Sequence, residues 1–145
     1  MPPPDHYHLR YAVPDVATYR HLRAAAGLSP KSAEAAAAGL AGSLFAVQVV
    51  HGEDVVGMGR VIGDGGCFYQ VVDIAVLPAH QGRGLGRRIV QAIADFIDRE
   101  VPASAYVSLF ADGTAQHLYA RFGFAVTAPA SIGMARVKAA SPAAP

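Results

Sequence analysis

"HQGRGLGRRIV", residues 80–90, places Gly82, Gly84 and Gly86 at alternate positions where a helical pattern begins. Glycine costs roughly 0.5–1 kcal/mol against alanine inside a helix, so its use three times at a helix start needs a reason. Upstream, "CFYQVVDIAVLP" (67–78) is a nearly all-apolar strand closed by Pro78. Downstream, Leu85, Ile89, Ile93, Phe96 and Ile97 share one helical face, with Arg88, Gln91, Asp95 and Arg99 elsewhere. A strand that passes through a glycine turn into a helix leaves the first backbone N–H groups unpaired, backed by the positive end of the dipole. With no Cβ at 82, 84 and 86 an anion can reach those amides, and Arg83, Arg87 and Arg88 add charge around it. A plain connector needs one glycine and no arginines; this pattern builds a phosphate cradle.

The rest of the chain bounds the possibilities. Its 145 residues, 52% hydrophobic and 16% charged, suit one folded domain with a real core. A net charge of +1 gives no general attraction to nucleic acid or membrane. One cysteine, Cys67, excludes an internal disulfide framework and fits a reducing compartment. "MPPPDHYHLR" does not read as a signal peptide, and no uncharged apolar run reaches the ~18 residues of a membrane span. A cytoplasmic protein is expected.

The remaining elements follow from period and punctuation. "PDVATYRHLRAAAGL" spaces Val16, Tyr19, Leu22 and Ala26 as a helix face stopped by Gly27. Ser29-Pro30 reads as the cap and first residue of a second helix through "KSAEAAAAGL". "SLFAVQVV" and "VVGMGRVIG" flank a hairpin at 51–54, and "GDGG" (63–66) is a second turn. After Pro102 come a fourth strand, "AYVSLFA", and a short helix through "GTAQHLYARF", capped by Asp112 and closed by Gly123. "FAVTA" and "IGMARVK" are expected to complete the sheet, and "AASPAAP" to be a loose tail. The order indicates an α+β (mixed α/β) fold with a mixed sheet.

The spacing argues against the Rossmann G-x-G-x-x-G and the P-loop G-x-x-x-x-G-K-[ST]. Gln81-Gly82-Arg83-Gly84-Leu85-Gly86 instead resembles the Q/R-x-x-G-x-G/A motif of the GNAT superfamily of acyl-CoA-dependent N-acetyltransferases, whose loop holds the coenzyme A pyrophosphate. "VVDIAVLPAHQGRGLGRRIV" resembles that superfamily's central strand–loop–helix, and "DGTAQHLYARFGF" its second hallmark, usually N-x-x-A-x-x-L-Y-x-x-x-G-F. "GMGRVIGDGG" and "SIGM" are similar to a bacterial branch of small GNAT proteins. The resemblance implies a twisted sheet of six to seven strands flanked by about four helices, over one domain at 1–138 with a disordered tail at 139–145.

It also implies roles. The backbone of Ile74, Ala75 and Val76 would pair with the pantetheine arm of acetyl-CoA, with the Val76 N–H facing the thioester carbonyl. Gln81, Gly82, Arg83, Gly84, Leu85, Gly86 and Arg87 would form the cradle. Asp112 stands where the family often has the asparagine that contacts the cofactor. Tyr119 matches the general acid that protonates the leaving thiolate. Its place in the stripe Ala115, Leu118, Tyr119, Phe122 equally suits a core residue, and a packed ring with a free hydroxyl satisfies both. Asp73 is a carboxylate in an otherwise apolar strand, costly unless paired or functional. By alternation it shares a face with Val71 and Ala75. It is either the general base or the partner of Arg60 in a structural ion pair, and a water chain to solvent would also serve as base.

Weaker candidates remain. Asp64 reads as a turn residue that, with Arg60, can line the acceptor pocket, and Cys67 as a small apolar filler. Tyr7, Tyr19, Leu22, Phe45, Met58, Phe68 and Tyr69 are candidates for an aromatic acceptor cleft or for ordinary core. Six histidines without metal-ligand spacing suggest no metal site. The leading reading is an N-acetyltransferase moving acetyl from acetyl-CoA to a primary amine of a small molecule or peptide, as a monomer or homodimer. The alternatives are a non-catalytic acyl-CoA sensor and a basic-helix nucleic-acid binder, the latter weakened by near-neutral charge.

Overall fold

The computed structural model describes residues 6–138; the tail expected at 139–145 lies outside the described residues. The chain runs β1 (His8–Arg10), α1 (Val16–Ala25), α2 (Ala33–Ala41), β2 (Phe45–His51), β3 (Asp54–Gly63), β4 (Phe68–Val76), a 3-10 turn at Pro78–His80, α3 (Leu85–Glu100), β5 (Tyr106–Ser108) and α4 (Gln116–Ala120). The strands form one sheet in the order β1-β2-β3-β4-β5, antiparallel except for the parallel pair β4–β5. This is the mixed α/β sheet the period changes indicated, with four helices.

Each face of the sheet has its own core. On one, the apolar stripe of α3 (Leu85, Ile89, Ile93) packs on Val47, Val49, Val61, Tyr69 and Val71. The approach is close because β3 carries glycine at the contact: a Cβ at Gly59 would lie 2.6 Å from Ile89 Cγ2. On the other face Tyr19 and Leu22 of α1 and Ala36 and Leu40 of α2 pack on Met58 and Ala75. Asp15 caps α1 by accepting from the Thr18 N–H at 2.7 Å.

Three expectations need correction, and one strand was not expected. The cap of α2 is Ser32, whose Oγ accepts from the Ala35 N–H at 3.0 Å. Ser29 serves instead as an acceptor for Arg23, through its carbonyl and its hydroxyl. β1 has no place in the sequence reading, because three residues with one apolar side chain carry no period. The sheet has five strands rather than six to seven: 124–138, including "FAVTA" and "IGMARVK", forms no strand. That segment turns back at Thr127–Ser131, where the Ser131 N–H donates to the Thr127 carbonyl at 3.1 Å. β5, only three residues long, offers too short a template for a long pair. Cys67 is exposed, not a core filler.

Candidate active site

The glycine stretch sits where the period predicted, between the end of β4 and the start of α3. Gly84 is the N-cap of α3 in the left-handed region (φ 77°), and Gly82 has φ 78°. No side chain caps this helix. The first intrahelical bond runs from the Arg88 N–H to the Gly84 carbonyl, so the amides of Leu85, Gly86 and Arg87 are free of intrahelical partners. The glycines beside them stand in open space: a Cβ at Gly82 or Gly84 would meet nothing within 4 Å. A Cβ at Gly86 would lie 3.9 Å from Leu118 Cδ2, which brings α4 beside the cradle. Arg83 and Arg87 are exposed. Arg88 donates to the Tyr7 carbonyl at 3.4 Å. Gln81 turns its amide back to the Val76 carbonyl, 3.0 Å away, and ties the loop to the strand.

The strand leading into the cradle is open on one side. β4 pairs with β5 only from Phe68 to Gln70, while β4 continues to Val76. From Val71 onward its edge toward β5 has no ladder partner among the described residues. An extended chain with amide groups could add there as a strand. Ile74, Ala75 and Val76 lie on this stretch.

β4 is also bulged. Between the pairs Met58–Ala75 and Arg60–Val72, β3 advances two residues and β4 three. The extra residue is accommodated at Asp73, the one non-glycine with positive φ (61°) among the described residues. A bulge reverses the alternation beyond it. Val71 belongs to the α3-side core, whereas Ala75 belongs to the core under α1 and α2. The expectation that Asp73 shares a face with both is therefore corrected: it faces α1 with Ala75.

There its carboxylate meets three donors. Arg60 Nε donates to Oδ2 at 2.8 Å, Arg23 Nη1 to Oδ1 at 2.5 Å, and the Tyr19 hydroxyl to Oδ2 at 3.0 Å. The Asp73 side chain is 5% exposed. The pair with Arg60 is thus present, and Arg23 and Tyr19 join it from α1. Sequence reasoning missed both partners, because they lie 50 and 54 positions away and only packing of α1 on the bulge brings them in. Burial, and after it the neighbouring carboxylate, pushes the Tyr19 phenol above its usual range.

This cluster forms part of the wall of a cleft of about 780 Å³ that Phe110, Asp112 and Tyr119 also line. Tyr119 is half-buried, its ring edge-on to Phe124 at 6.3 Å. Burial first, then the negative charge of Asp112, raises its pKa. Asp112 does not cap α4: the residue at the cap is Ala115, without a side-chain bond. Asp64 stays in its turn, its Oδ1 accepting from the N–H groups of Gly66, Cys67 and Phe68, which hold its pKa down. It does not line the cleft. Of the proposed aromatic cleft only Tyr19 does; Tyr7, Leu22, Met58 and Tyr69 are core, Phe45 packs on that core, and Phe68 is exposed. Among the described residues no three His, Cys, Asp or Glu side chains gather as metal ligands, and no helix is long and apolar enough to cross a membrane.

Comparison with known proteins decides the family. The acetyltransferase (GNAT) domain matches residues 42–126, which contain β2 through α4 and the whole cradle. The chain belongs to the GNAT acetyltransferases. Among solved structures, a protein of unknown function from meticillin-resistant Staphylococcus aureus, described as a probable acetyltransferase, is 44% identical. That match covers 92% of this chain and 100% of the other, with a TM-score of 0.86. A GNAT-family acetyltransferase from Streptococcus pneumoniae shares the fold at 24% identity and TM-score 0.75, covering 92% and 98% of the two chains. The glucosamine-6-phosphate N-acetyltransferase of Arabidopsis thaliana shares it at 14% identity and TM-score 0.66, over 91% and 98%. No curated protein matches the sequence. GNAT proteins transfer acyl groups from an acyl-CoA cosubstrate, and the open first turn of α3 beside the unpaired edge of β4 fits such a molecule.

Proposed function

We propose that residues 1–138 act as one N-acetyltransferase domain, moving acetyl from acetyl-CoA to a primary amine of a small molecule or peptide by direct transfer. The observation that carries this is the continuity of three features. Ile74 on the unpaired edge of β4 and Tyr119 of α4 line the same cleft, and α4 also meets the first turn of α3 with its free amides, through Leu118 beside Gly86. Bound acetyl-CoA would supply an activated acyl group as a thioester. The cradle from Gln81 to Arg87 would hold its pyrophosphate, with Gln81 acting through the strand end it clips. Ile74 to Val76 would pair with the pantetheine arm and aim the Val76 N–H at the carbonyl, with Asp112 at the rim. Tyr119, held protonated by burial and by Asp112, starts in the form an acid needs and would give its proton to the sulfur. Both oxygens of Asp73 are already engaged by arginines and Tyr19. We therefore assign Asp73 to positioning Arg23 and Arg60 rather than to proton acceptance, and give the amine's proton to water in the cleft.

The cradle is tested through Gly84. Its left-handed backbone (φ 77°) strains any β-branched residue, so a side chain there would disturb the turn that presents the amides. Gly84→Val should weaken acetyl-CoA binding more than about tenfold by calorimetry in a protein that remains folded by circular dichroism. Unchanged affinity in that variant would remove the cofactor assignment. Release of free thiol from acetyl-CoA on addition of amines tests the transfer itself.

A further inference from the structure

The acceptor cleft holds more positive charge than its carboxylates balance. Arg23, Lys31 and Arg60 line it, against Asp73 and Asp112. Arg23 and Arg60 are 8% and 6% exposed, and they share the single carboxylate of Asp73. Each nitrogen of Arg23 makes a bond: Nε donates to the Ser29 carbonyl, Nη2 to the Ser29 hydroxyl and Nη1 to Asp73. Arg60 places Nε on Asp73 and Nη1 on the Gly39 carbonyl and the Ser43 hydroxyl. Its Nη2 makes no bond to another described residue, although no fully buried side-chain nitrogen or oxygen lacks a partner. That nitrogen therefore keeps contact with open space, on a residue that lines the cleft.

An uncompensated cation in so enclosed a place is costly, and a ligand that brings an anion removes the cost. A guanidinium with a free nitrogen suits a carboxylate or phosphate oxygen. The same excess charge repels a second cation on the acceptor and disfavours the ammonium form of the amine, leaving more of the neutral form that attacks. We propose that the acceptor is a primary amine that also carries a carboxylate or phosphate, which Arg60 Nη2 receives with Lys31 at the rim. This rests on the transferase reading above. It excludes polyamines and other polycations as preferred acceptors.

Matched amines test it in the full-length protein, with thiol release from acetyl-CoA as readout. The pairs are an α-amino acid against its amide, and an aminoalkyl phosphate against its amino alcohol, with a linear polyamine alongside. The anionic member of one pair should have a kcat/KM roughly 10–100-fold higher than its neutral partner, and the polyamine should be poorest. The pair that shows the preference distinguishes carboxylate from phosphate. Equal or better turnover of the neutral members or the polyamine overturns the proposal.

A second measurement does not depend on turnover. With coenzyme A at saturation to occupy the cradle, inorganic phosphate or acetate should raise the Tm of the wild-type protein. Arg60→Met leaves Arg23 and Asp73 as a one-to-one pair and should abolish that rise, while Arg60→Lys should retain part of it. No rise, or an equal rise in Arg60→Met, overturns the anion site. Absence of acetyl-CoA binding defeats the transferase reading itself; intact binding without an anion preference defeats only the acceptor class.

Discussion

Asp73→Asn should cost about 3–5 kcal/mol of stability, because it removes the one carboxylate that two buried guanidinium groups share. The substitution isolates charge. Asparagine keeps the shape of the side chain and tolerates the left-handed backbone (φ 61°) that Asp73 adopts in the bulge. The loss therefore cannot be assigned to backbone strain. Chemical denaturation measures it, as a lower midpoint at unchanged slope. Adding Arg23→Met and Arg60→Met should recover much of the loss, since the charges that lacked a partner are then gone. The opposing outcome is also defined. If Asp73 were the general base, Asp73→Asn would stay folded, lose rate and change the acidic limb of the kcat/KM profile. A folded variant with a wild-type profile would defeat both roles.

Tyr119→Phe should lower kcat by roughly 10–10³ with little change in acetyl-CoA affinity, the range a general acid contributes. The ring keeps its edge contact with Phe124, so the substitution removes only the hydroxyl. Deprotonation inactivates an acid, and burial together with Asp112 moves that event above the ordinary phenol value of 10.0. The wild-type rate should therefore not fall on account of Tyr119 until pH passes 10. Asp112→Asn removes one of the two causes and should move the alkaline limb toward lower pH. A Tyr119→Phe protein that loses stability and keeps its kcat would make Tyr119 a core residue only.

Both outcomes turn on contacts of different range, and that range separates what could be read from the chain. The glycine turn was legible: the glycines, the start of α3 and its apolar stripe are consecutive, and a helix start builds its own amide array from local backbone geometry. The hairpin at 51–54 and the stop of α1 at Gly27 were legible for the same reason. Even the Arg60–Asp73 pair could be anticipated, because adjacent antiparallel strands joined by a short turn place such residues together.

What periodicity could not supply was anything that depends on a register slip or on a distant helix. The bulge at Asp73 adds one residue to β4 and reverses the faces beyond it, so strict alternation put Ala75 on the wrong side. Arg23 and Tyr19 reach the carboxylate only because α1 packs on that reversed face. The apolar alternation of "FAVTA" and "IGMARVK" states a preference for a strand, but a strand exists only where an edge long enough to pair is offered, and β5 ends at Ser108. The glycine turn at the start of α3 and the order of most elements could be read from the chain, because these follow from neighbours a few residues apart. The tertiary structure alone decided which face Asp73 takes, what charge surrounds it and how far the sheet extends, because hydrogen-bond register and burial are properties of pairs of elements and not of any one of them.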